Sequence, residues 1–225
     1  MDLNADFSQR VLVHSDRIDW VASPMPGVDR RMLDRIGDEV ARATSLVRYA
    51  PQSRFSEHTH TGGEEFIVLA GVFSDEHGDF PAGSYVRNPP TSTHSPHSDA
   101  GCTIFVKLWQ FQPEDRTHVV IDMNKMEYIP DATRRGVSVM TLFQDDRETV
   151  RAEKWDAGSA VETLLPRGGE YLVLSGSLTE EGDTLSKGSW LRLPMGGTLK
   201  AKAGAEGVTL WSKTRHLPHA KPPAV

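Results

Sequence analysis

Short apolar or alternating runs, separated by clusters of glycine, proline and small polar residues, follow one another along this chain of 225 residues. The clearest runs in the first half are FIVLAGVF at 66–73, SYVRN at 84–88 and TIFVKLW at 103–109. Successive side chains of a strand point to opposite faces, and turns favour glycine and proline, so this pattern indicates strands of a sandwich or barrel. We therefore predict an all-β fold.

One stretch of the first half, residues 30–43, allows two interpretations. Its apolar residues recur every four positions, a spacing that is typical of one face of a helix. The second half contains a counterpart, VSVMTLFQDDRETVRAEKW at 137–155, in which two strand-like runs flank a polar turn. That counterpart favours strands, which we predict at 28–36 and 40–49.

The second half of the chain repeats the first. Residues 61–89 align with residues 166–194 at an offset of 105, and ten of the twenty-nine aligned positions are identical. A chain of this length can form one large domain or two domains of roughly 110 residues. Because a repeat of this kind is the signature of tandem units, we predict two domains, 1–112 and 113–225.

Three histidines and a glutamate of the first repeat form a candidate metal site. His58 and His60 are two residues apart, so a strand would present both imidazoles on one face. Glu64 begins the next apolar run, and His94 follows a diproline turn, from which a neighbouring antiparallel strand could return to the same point. Three neutral nitrogens with one carboxylate suit a divalent transition metal better than calcium or magnesium, which prefer oxygen ligands.

The same four residues resemble the two sequence motifs of the cupin superfamily, G-x5-H-x-H-x3-4-E-x6-G and G-x5-P-x-G-x2-H-x3-N. The residues that match them, with three departures, are His58-x-His60-x3-Glu64-x6-Gly71 and Gly83-x5-Pro89-x-Thr91-x2-His94-x3-Ser98. Gln52 stands where the first motif begins with glycine, and Thr91 and Ser98 replace a glycine and an asparagine of the second. These departures concern turns rather than ligands. The resemblance implies two tandem jelly-roll β-barrels, a bicupin.

The second repeat lacks all four candidate ligands. At the offset of 105 residues their positions hold Thr163, Leu165, Gly169 and Leu199. If the four residues bind one ion together, loss of one ligand leaves the other three without a function, so all four are expected to be lost together. We therefore expect a metal-binding cupin domain at 1–112 and a degenerate cupin domain without metal ligands at 113–225.

The segment 43–110 is similar to the cupin-like domain of ChrR-type anti-sigma factors. The resemblance implies zinc at the four predicted ligands and a link to the oxidative-stress regulation of an ECF sigma factor; the ligand types alone also allow Fe(II), Mn(II) and Ni(II). In that family, sigma-factor inhibition belongs to a separate helical domain that holds zinc through a His-x3-Cys-x2-Cys pattern. These 225 residues contain one cysteine and no such pattern, so direct sigma-factor binding is not expected.

Two hypotheses about function follow. In the first, the protein is a sensory or regulatory module linked to transcription and the stress response, and the metal structures a pocket for a small-molecule ligand or oxidant. In the second, it is an Fe(II)-dependent dioxygenase that acts on a small diketone or aromatic ketone. No base or anion clamp stands out beyond the ligands, so no catalytic residue is assigned. A third interpretation is a purely structural metal site in a dimerising barrel.

Composition narrows the expected partners. A formal net charge of −6 opposes nucleic-acid binding, and the basic pairs Arg30-Arg31 and Arg134-Arg135 are interpreted as solvated faces. No apolar run approaches the ~18 residues of a membrane helix, so we expect a cytoplasmic protein without a membrane partner. Cys102 is the only cysteine, and we predict that it is a buried small hydrophobe. Exposed strand edges commonly pair, which predicts a homodimer.

Four further residues of the first repeat are predicted to be structural. Phe66, Tyr85 and Phe105 have aromatic counterparts in the second repeat, which favours core packing over substrate stacking. Glu65 has a counterpart, Glu170, that persists without the ligands. Residues retained by the half without a metal site are expected to serve the barrel itself.

Overall fold

The structure is a computed structural model that describes residues 1–38 and 40–223. In this part the chain is built of β-strands and three short 3-10 turns, at Ser15–Arg17, Met123–Lys125 and Leu217–His219. No helix among these residues is long and apolar enough to cross a membrane. The all-β prediction is confirmed.

The strands of the first half are β1 (Asp2–Leu3), β2 (Val11–His14), β3 (Val21–Ala22), β4 (Val28–Gly37), β5 (Ala41–Tyr49), β6 (Ser53–Arg54), β7 (His58–His60), β8 (Glu64–Asp75), β9 (Gly78–Pro81), β10 (Ser84–Asn88), β11 (Ser92–His94), β12 (His97–Ser98), β13 (Cys102–Leu108) and β14 (Val119–Asp122). Those of the second half are β15 (Ile129–Pro130), β16 (Val137–Gln144), β17 (Thr149–Trp155), β18 (Ala160–Leu165), β19 (Gly169–Glu180), β20 (Asp183–Ser186), β21 (Ser189–Leu193) and β22 (Gly197–Thr214). The strands predicted at 28–36 and 40–49 are β4 and β5, so the helical interpretation of this stretch is wrong.

The described strands group into two compact units. Unit 1 is formed mainly by Asp19–Lys125, with Met1–Ala5, and unit 2 by Met126–Ala220, with Asp6–Ile18. The early strand of each repeat therefore belongs to the unit that contains most of the other repeat: β2 pairs with β21 in unit 2, and β14 pairs with β10 in unit 1. The boundary between residues 112 and 113 divides the repeats of the sequence and stays a prediction.

Unit 1 is an antiparallel barrel-like sheet with strand order β1-β4-β5-β13-β8-β10-β14. β7 and β11 form a separate two-stranded sheet. β4 carries a bulge between Met32 and Asp34, where its register against β5 shifts. The extra residue reverses which side chains face the interior in the part of β4 that follows the bulge.

Unit 2 repeats this arrangement with strand order β15-β16-β17-β22-β19-β21-β2. The long strand β22 pairs with β18 at its start and with β17 and β19 further on. Thr163 lies opposite Leu199, as His58 lies opposite His94 in unit 1. The strand register therefore agrees with the alignment that makes these two pairs counterparts.

Aromatic and aliphatic side chains fill the interior of each unit. Phe66, Tyr85 and Phe105 are buried, and so are their counterparts Tyr171, Trp190 and Trp211. Each such burial removes apolar surface from water and contributes a few kcal/mol at most, by about 25 cal/mol per Å². The core interpretation of these aromatics is confirmed.

Two polar predictions also concern the interior of unit 1. Cys102 is buried, and burial raises the pKa of its thiol to about 11, so it is a small core residue and not a reactive thiolate. Glu65 is 2% exposed and accepts a hydrogen bond from Tyr85 Oη at 2.6 Å. Both contacts fit the structural roles predicted for these residues.

One pair of glycines explains why the repeats keep the same bend. Gly71 in β8 and Gly176 in β19 both have φ 71°. A Cβ at Gly71 would lie 2.0 Å from the Gly101 oxygen, and one at Gly176 would lie 2.2 Å from the Gly207 oxygen. Only glycine allows both this left-handed conformation and this close backbone approach. The first motif's last glycine is thus a requirement of the barrel, independent of the metal.

Candidate metal centre

The two-stranded sheet of unit 1 carries three of the predicted ligands. β7 contributes His58 and His60, and β11 contributes His94, directly opposite His58. The first two share a face of β7 because side chains alternate along a strand. The three rings meet edge to face with centroids 4.8 to 5.0 Å apart, and the nitrogen atoms that they offer lie within 4.8 Å of one another. The structure therefore brings these histidines together, and we call them the histidine group.

Glu64 lies beside the histidine group. It is the first residue of β8 and follows β7 after a tight turn with two glycines. Its Oε2 atom lies 3.4 Å from His60 Nε2 and 3.7 Å from His94 Nε2. The amide Nδ2 of Asn88 donates a hydrogen bond to the same oxygen at 3.3 Å. The carboxylate is therefore held against two of the three imidazoles.

Hydrogen bonds on the outer side of two rings orient their inner nitrogens. His94 Nδ1 lies 3.0 Å from Asp75 Oδ2, and His58 Nδ1 lies 3.2 Å from the Ser56 carbonyl oxygen. Because these oxygens accept, each Nδ1 donates its proton and each Nε2 keeps a lone pair for an ion. His60 Nε2 and His94 Nε2 lie only 2.9 Å apart, so their lone pairs converge on one point.

The two more buried histidines of the group have opposite pKa shifts. Burial lowers the pKa of His60, and the neighbouring histidines lower it further against the opposing effect of Glu64. Burial also lowers the pKa of His94, but the hydrogen bond to Asp75 and the charge of Glu64 outweigh it, so the net shift is upward. The carboxylates of Asp75 and Glu64 that raise the pKa of His94 would also attract a metal cation, and His60, whose pKa is lowered, is neutral and able to ligate. Three imidazoles and one carboxylate fit a divalent transition metal.

Two of the motif departures lie in turns that flank the group. Gln52 has φ 61° and Thr91 has φ 76°, the left-handed region that glycine adopts without strain. Their counterparts in unit 2 are glycines, Gly158 with φ 71° and Gly196 with φ 76°. The backbone of unit 1 thus keeps the motif's turns even where glycine has been replaced. The Thr91 turn leads directly into β11, which carries His94.

The histidine group opens into a cavity of about 450 Å³ within unit 1. Most of its lining is apolar, from the inner faces of β4, β5 and β13 and from loop residues such as Phe55 and Trp109. Its charged lining residues are Glu64, Arg30 and Arg35. The interpretation of Arg30 as part of a solvated face is wrong, because β4 directs it toward this cavity.

Both repeats of the chain match one protein family. Residues 8–112 and 116–218 each match the family model described as the ChrR cupin-like domain. The chain belongs to the ChrR cupin-like domain family. Because the family's domain occurs twice, the ChrR cupin-like chain is a bicupin, as its repeat predicted. No curated protein matches it.

Solved structures with the same fold have diverged far in sequence. A candidate dioxygenase from Nostoc punctiforme has a TM-score of 0.75 and 14% identity, and the match covers 97% of this chain and 87% of that one. The bacterial pirin YhhW from Escherichia coli, solved in complex with nickel(II), has a TM-score of 0.68 and 12% identity, with 92% and 99% covered. An oxalate decarboxylase variant from Bacillus subtilis has a TM-score of 0.60 and 11% identity, with 91% and 76% covered. At these identities the likeness shows the fold of the ChrR cupin-like chain.

The equivalent region of unit 2 is organised differently. Leu165 and Leu199 are buried in its apolar core, and the only histidine or acid cluster of metal-binding shape in the described residues is the histidine group of unit 1. Glu153 is buried in unit 2, where it accepts hydrogen bonds from Arg134 at 2.7 Å and from Ser212 at 2.7 Å. The prediction that Arg134 belongs to a solvated face is therefore wrong. The Arg134–Glu153 ion pair of this ChrR cupin-like repeat lies in the lining of a cavity of about 550 Å³, and Glu153 occupies the strand position of Val47 in unit 1.

Sequence reasoning did not find Asp75 or Asn88, which orient His94 and Glu64. Asp75 gives no local signal, because it is 19 residues from His94 and the duplicate keeps an acid, Glu180, at its position. Asn88 does give a signal in the sequence. Its counterpart is Leu193, so this amide is absent from the second repeat together with the predicted ligands.

Proposed function

We propose that this protein is a metal-dependent ligand-binding module in which His58, His60, His94 and Glu64 hold one divalent transition metal in unit 1. One observation carries the proposal: three imidazoles converge beside a carboxylate, and two of them are oriented by acceptors on their outer nitrogens, at the mouth of a cavity. A structural ion would not require an adjoining cavity. A small molecule in this cavity would have direct access to the ion.

Zinc is the ion that the resemblance to ChrR favours, and Fe(II), Mn(II) and Ni(II) are alternatives. The chemistry of the donors supports all four, because imidazole and carboxylate ligands serve each of them. The nickel(II) complex of the pirin YhhW supports the view that this fold can hold such an ion. When bound, the ion would supply a Lewis acid with open coordination positions for an oxygen ligand.

The role proposed for the module is sensory or regulatory. The family is described by its ChrR cupin-like domain, and ChrR-type proteins connect this domain to the control of transcription under stress. Binding of a small molecule or an oxidant at the ion would change the occupancy of the cavity in unit 1. Direct contact with a sigma factor is not part of the proposal. Homodimer formation and a cytoplasmic location stay predictions.

A second candidate function is that of an Fe(II)-dependent dioxygenase acting on a small diketone or aromatic ketone. The apolar lining of the cavity favours such substrates, since their hydrocarbon parts would leave water on binding. The candidate dioxygenase from Nostoc punctiforme shares the fold over nearly the whole chain. No residue beyond the predicted ligands is assigned to catalysis.

Metal content and oxygen consumption separate the two functions. Protein purified without added metal is first analysed for bound elements. It is then reconstituted with Fe(II) and tested for oxygen uptake with acetylacetone and related diketones. Tightly bound zinc with no oxygen uptake supports the binding module. Turnover that His94→Ala abolishes would instead establish the dioxygenase, and purified chain that holds no stoichiometric metal would contradict both.

A further inference from the structure

Two arginines give the cavity of unit 1 a charge that the metal centre does not explain. Arg30 and Arg35 line it, and the only acidic lining residue is Glu64, on the side of the histidine group. Both arginines are half-buried. Placing two cations in an otherwise apolar wall is unfavourable unless an anion or water compensates them.

The strand places these two side chains on the same face through its bulge. Arg30 and Arg35 are an odd number of residues apart, so a regular strand would direct them to opposite faces. The register shift between Met32 and Asp34 adds one residue and restores the common face. Arg30 lies opposite Val47 and Arg35 opposite Ala43, two residues of β5 that share a face because they are an even number of positions apart. The irregularity of β4 therefore has a consequence at the site.

The neighbouring charges of β4 are engaged elsewhere. Arg31 stacks over the Trp20 ring at 4.4 Å, and Asp29 accepts a hydrogen bond from Arg48 at 2.7 Å. Asp34 is buried beside Arg42, with their charged atoms 3.5 Å apart. The acids nearest to the two cavity arginines in sequence are thus turned away from the cavity.

The donors of the two arginines are largely available to a ligand. Arg30 forms no side-chain hydrogen bond or ion pair with any residue that the structure describes. The Nε group of Arg35 donates a hydrogen bond to the Gly37 carbonyl oxygen at 3.1 Å, and its Nη2 group donates one to the Asp38 carbonyl oxygen. Its Nη1 group is left to donate to a ligand. Burial lowers the pKa of Arg35, and the charge of Arg30 lowers it further against a smaller opposing effect of Asp38. The two guanidinium groups therefore repel one another, and an anion between them would relieve the repulsion.

The second repeat provides an internal comparison. In the strand register, Arg30 and Arg35 correspond to Val139 and Gln144 of β16. Both positions are therefore uncharged in unit 2, whose own cavity has other arginines, Arg134 and Arg151, together with an acid, Glu153, that pairs with Arg134. A pair of arginines needed for the barrel itself would have been retained, as Gly71 and Glu65 are. The joint loss links the arginines to the histidine group.

We propose that the ligand of unit 1 is a small organic carboxylate with an apolar body, and that Arg30 and Arg35 bind its carboxylate while its body occupies the cavity next to the metal centre. Guanidinium groups present paired donors that match a carboxylate. The apolar lining supplied by residues such as Val47, Ile104 and Val106 suits a branched or aromatic body. This inference rests on the proposed metal-dependent ligand binding and names the class of ligand.

The test uses the full chain and 4-methyl-2-oxopentanoate as the probe, with its methyl ester as the neutral analogue. Isothermal titration calorimetry is performed on zinc-loaded protein and on chelator-treated protein. The acid should bind the zinc-loaded chain at least tenfold more tightly than the ester. Arg30→Gln and Arg35→Gln should each weaken binding of the acid by roughly tenfold or more, as the loss of a charge-assisted hydrogen bond predicts. Arg31→Gln is the matched control and should leave the affinity unchanged.

Metal content and folding are measured for every variant. Arg30→Gln and Arg35→Gln should retain the metal stoichiometry and melting temperature of the parent chain, and Arg30→Lys should recover part of the affinity in case the glutamine variant folds poorly. Equal affinity for acid and ester, or no effect of either glutamine substitution, would overturn the carboxylate assignment while leaving the metal centre intact. A chain without metal that still binds the acid through Arg30 would overturn the proposed metal dependence but support the arginine subsite.

Discussion

Units 1 and 2 have the same strand framework and different centres. Turn glycines such as Gly71 and Gly176 and the core aromatics recur in both. At the barrel mouth, unit 1 has the histidine group and a cavity with two arginines, whereas unit 2 has buried leucines and an ion pair between Arg134 and Glu153. The comparison shows that the cupin framework does not depend on the histidine group.

The difference also implies that the two units depend on different interactions. Buried leucines stabilise unit 2 by about 1.5–3 kcal/mol each through removal of apolar surface from water. In unit 1 the positions of Leu165 and Leu199 hold His60 and His94, and the burial of polar imidazoles is unfavourable without a partner. The proposed ion would compensate for that burial. Unit 1 should therefore respond to changes at the metal centre that leave unit 2 unaffected.

The largest effect is expected when two ligands are removed together. The double variant His58→Ala, His60→Ala should lose its stoichiometric metal, because a single imidazole and a carboxylate cannot hold a transition ion tightly. Elemental analysis of the purified protein measures this. Thr163→Ala, at the counterpart of His58 in unit 2, is the control and should keep the metal content of the parent chain. Full metal retention by the double variant would mean that the ion is held elsewhere.

Removal of the metal by a chelator should have the next largest effect, and it should be local. An ion present at a hundred times its dissociation constant stabilises the folded state by about 2.7 kcal/mol. Hydrogen exchange of β7 and β11 should accelerate by up to about a hundredfold. β18 and the start of β22 are the internal control in unit 2, and equal acceleration there would contradict the independence of the two centres.

Asp75→Asn should weaken metal binding without abolishing it. The substitution removes the carboxylate that accepts the His94 Nδ1 proton at 3.0 Å, and loss of such an orienting group typically lowers metal affinity 10–100-fold. A competition titration with a zinc indicator measures the change. Glu114→Gln, an exposed acid of unit 1 away from the histidine group, is the control. Equal affinities of Asp75→Asn and the parent chain would show that Asp75 does not position His94.

The fold and the histidine group were predictable because both follow from patterns in the sequence, namely strand alternation and the internal repeat. Strand alternation places His58 and His60 on one face, and the repeat offset identifies their lost counterparts. The contributions of Asp75 and Arg35 were not predictable in this way. Asp75 contacts His94, which only folding brings near it. Arg35 faces the cavity because of a bulge in β4, and no residue type in that strand predicts the bulge. The pairing of β2 with β21 could not be predicted from the sequence either, because the residues of an edge strand carry little information about its partner strand.

The smallest effect is expected at the strained turn before β11. Thr91 has φ 76°, a conformation that is unfavourable for a β-branched residue, and its counterpart Gly196 has the same φ. Thr91→Gly should stabilise unit 1 by about 1 kcal/mol, because the strain of roughly 1–3 kcal/mol is relieved while the greater flexibility of glycine in the unfolded chain offsets part of the gain.

The reciprocal variant makes the comparison between the units quantitative. Gly196→Thr introduces the same strain into unit 2, where open space surrounds the position, so it should destabilise that unit by a similar amount with no steric contribution. Denaturant unfolding of both variants, followed by hydrogen exchange of β11 and β22, assigns each change to its unit. If Thr91→Gly left stability unchanged or lowered it, contacts of the threonine side chain would have to outweigh the backbone strain, and the turn of unit 1 would differ from that of unit 2 in more than its residue type.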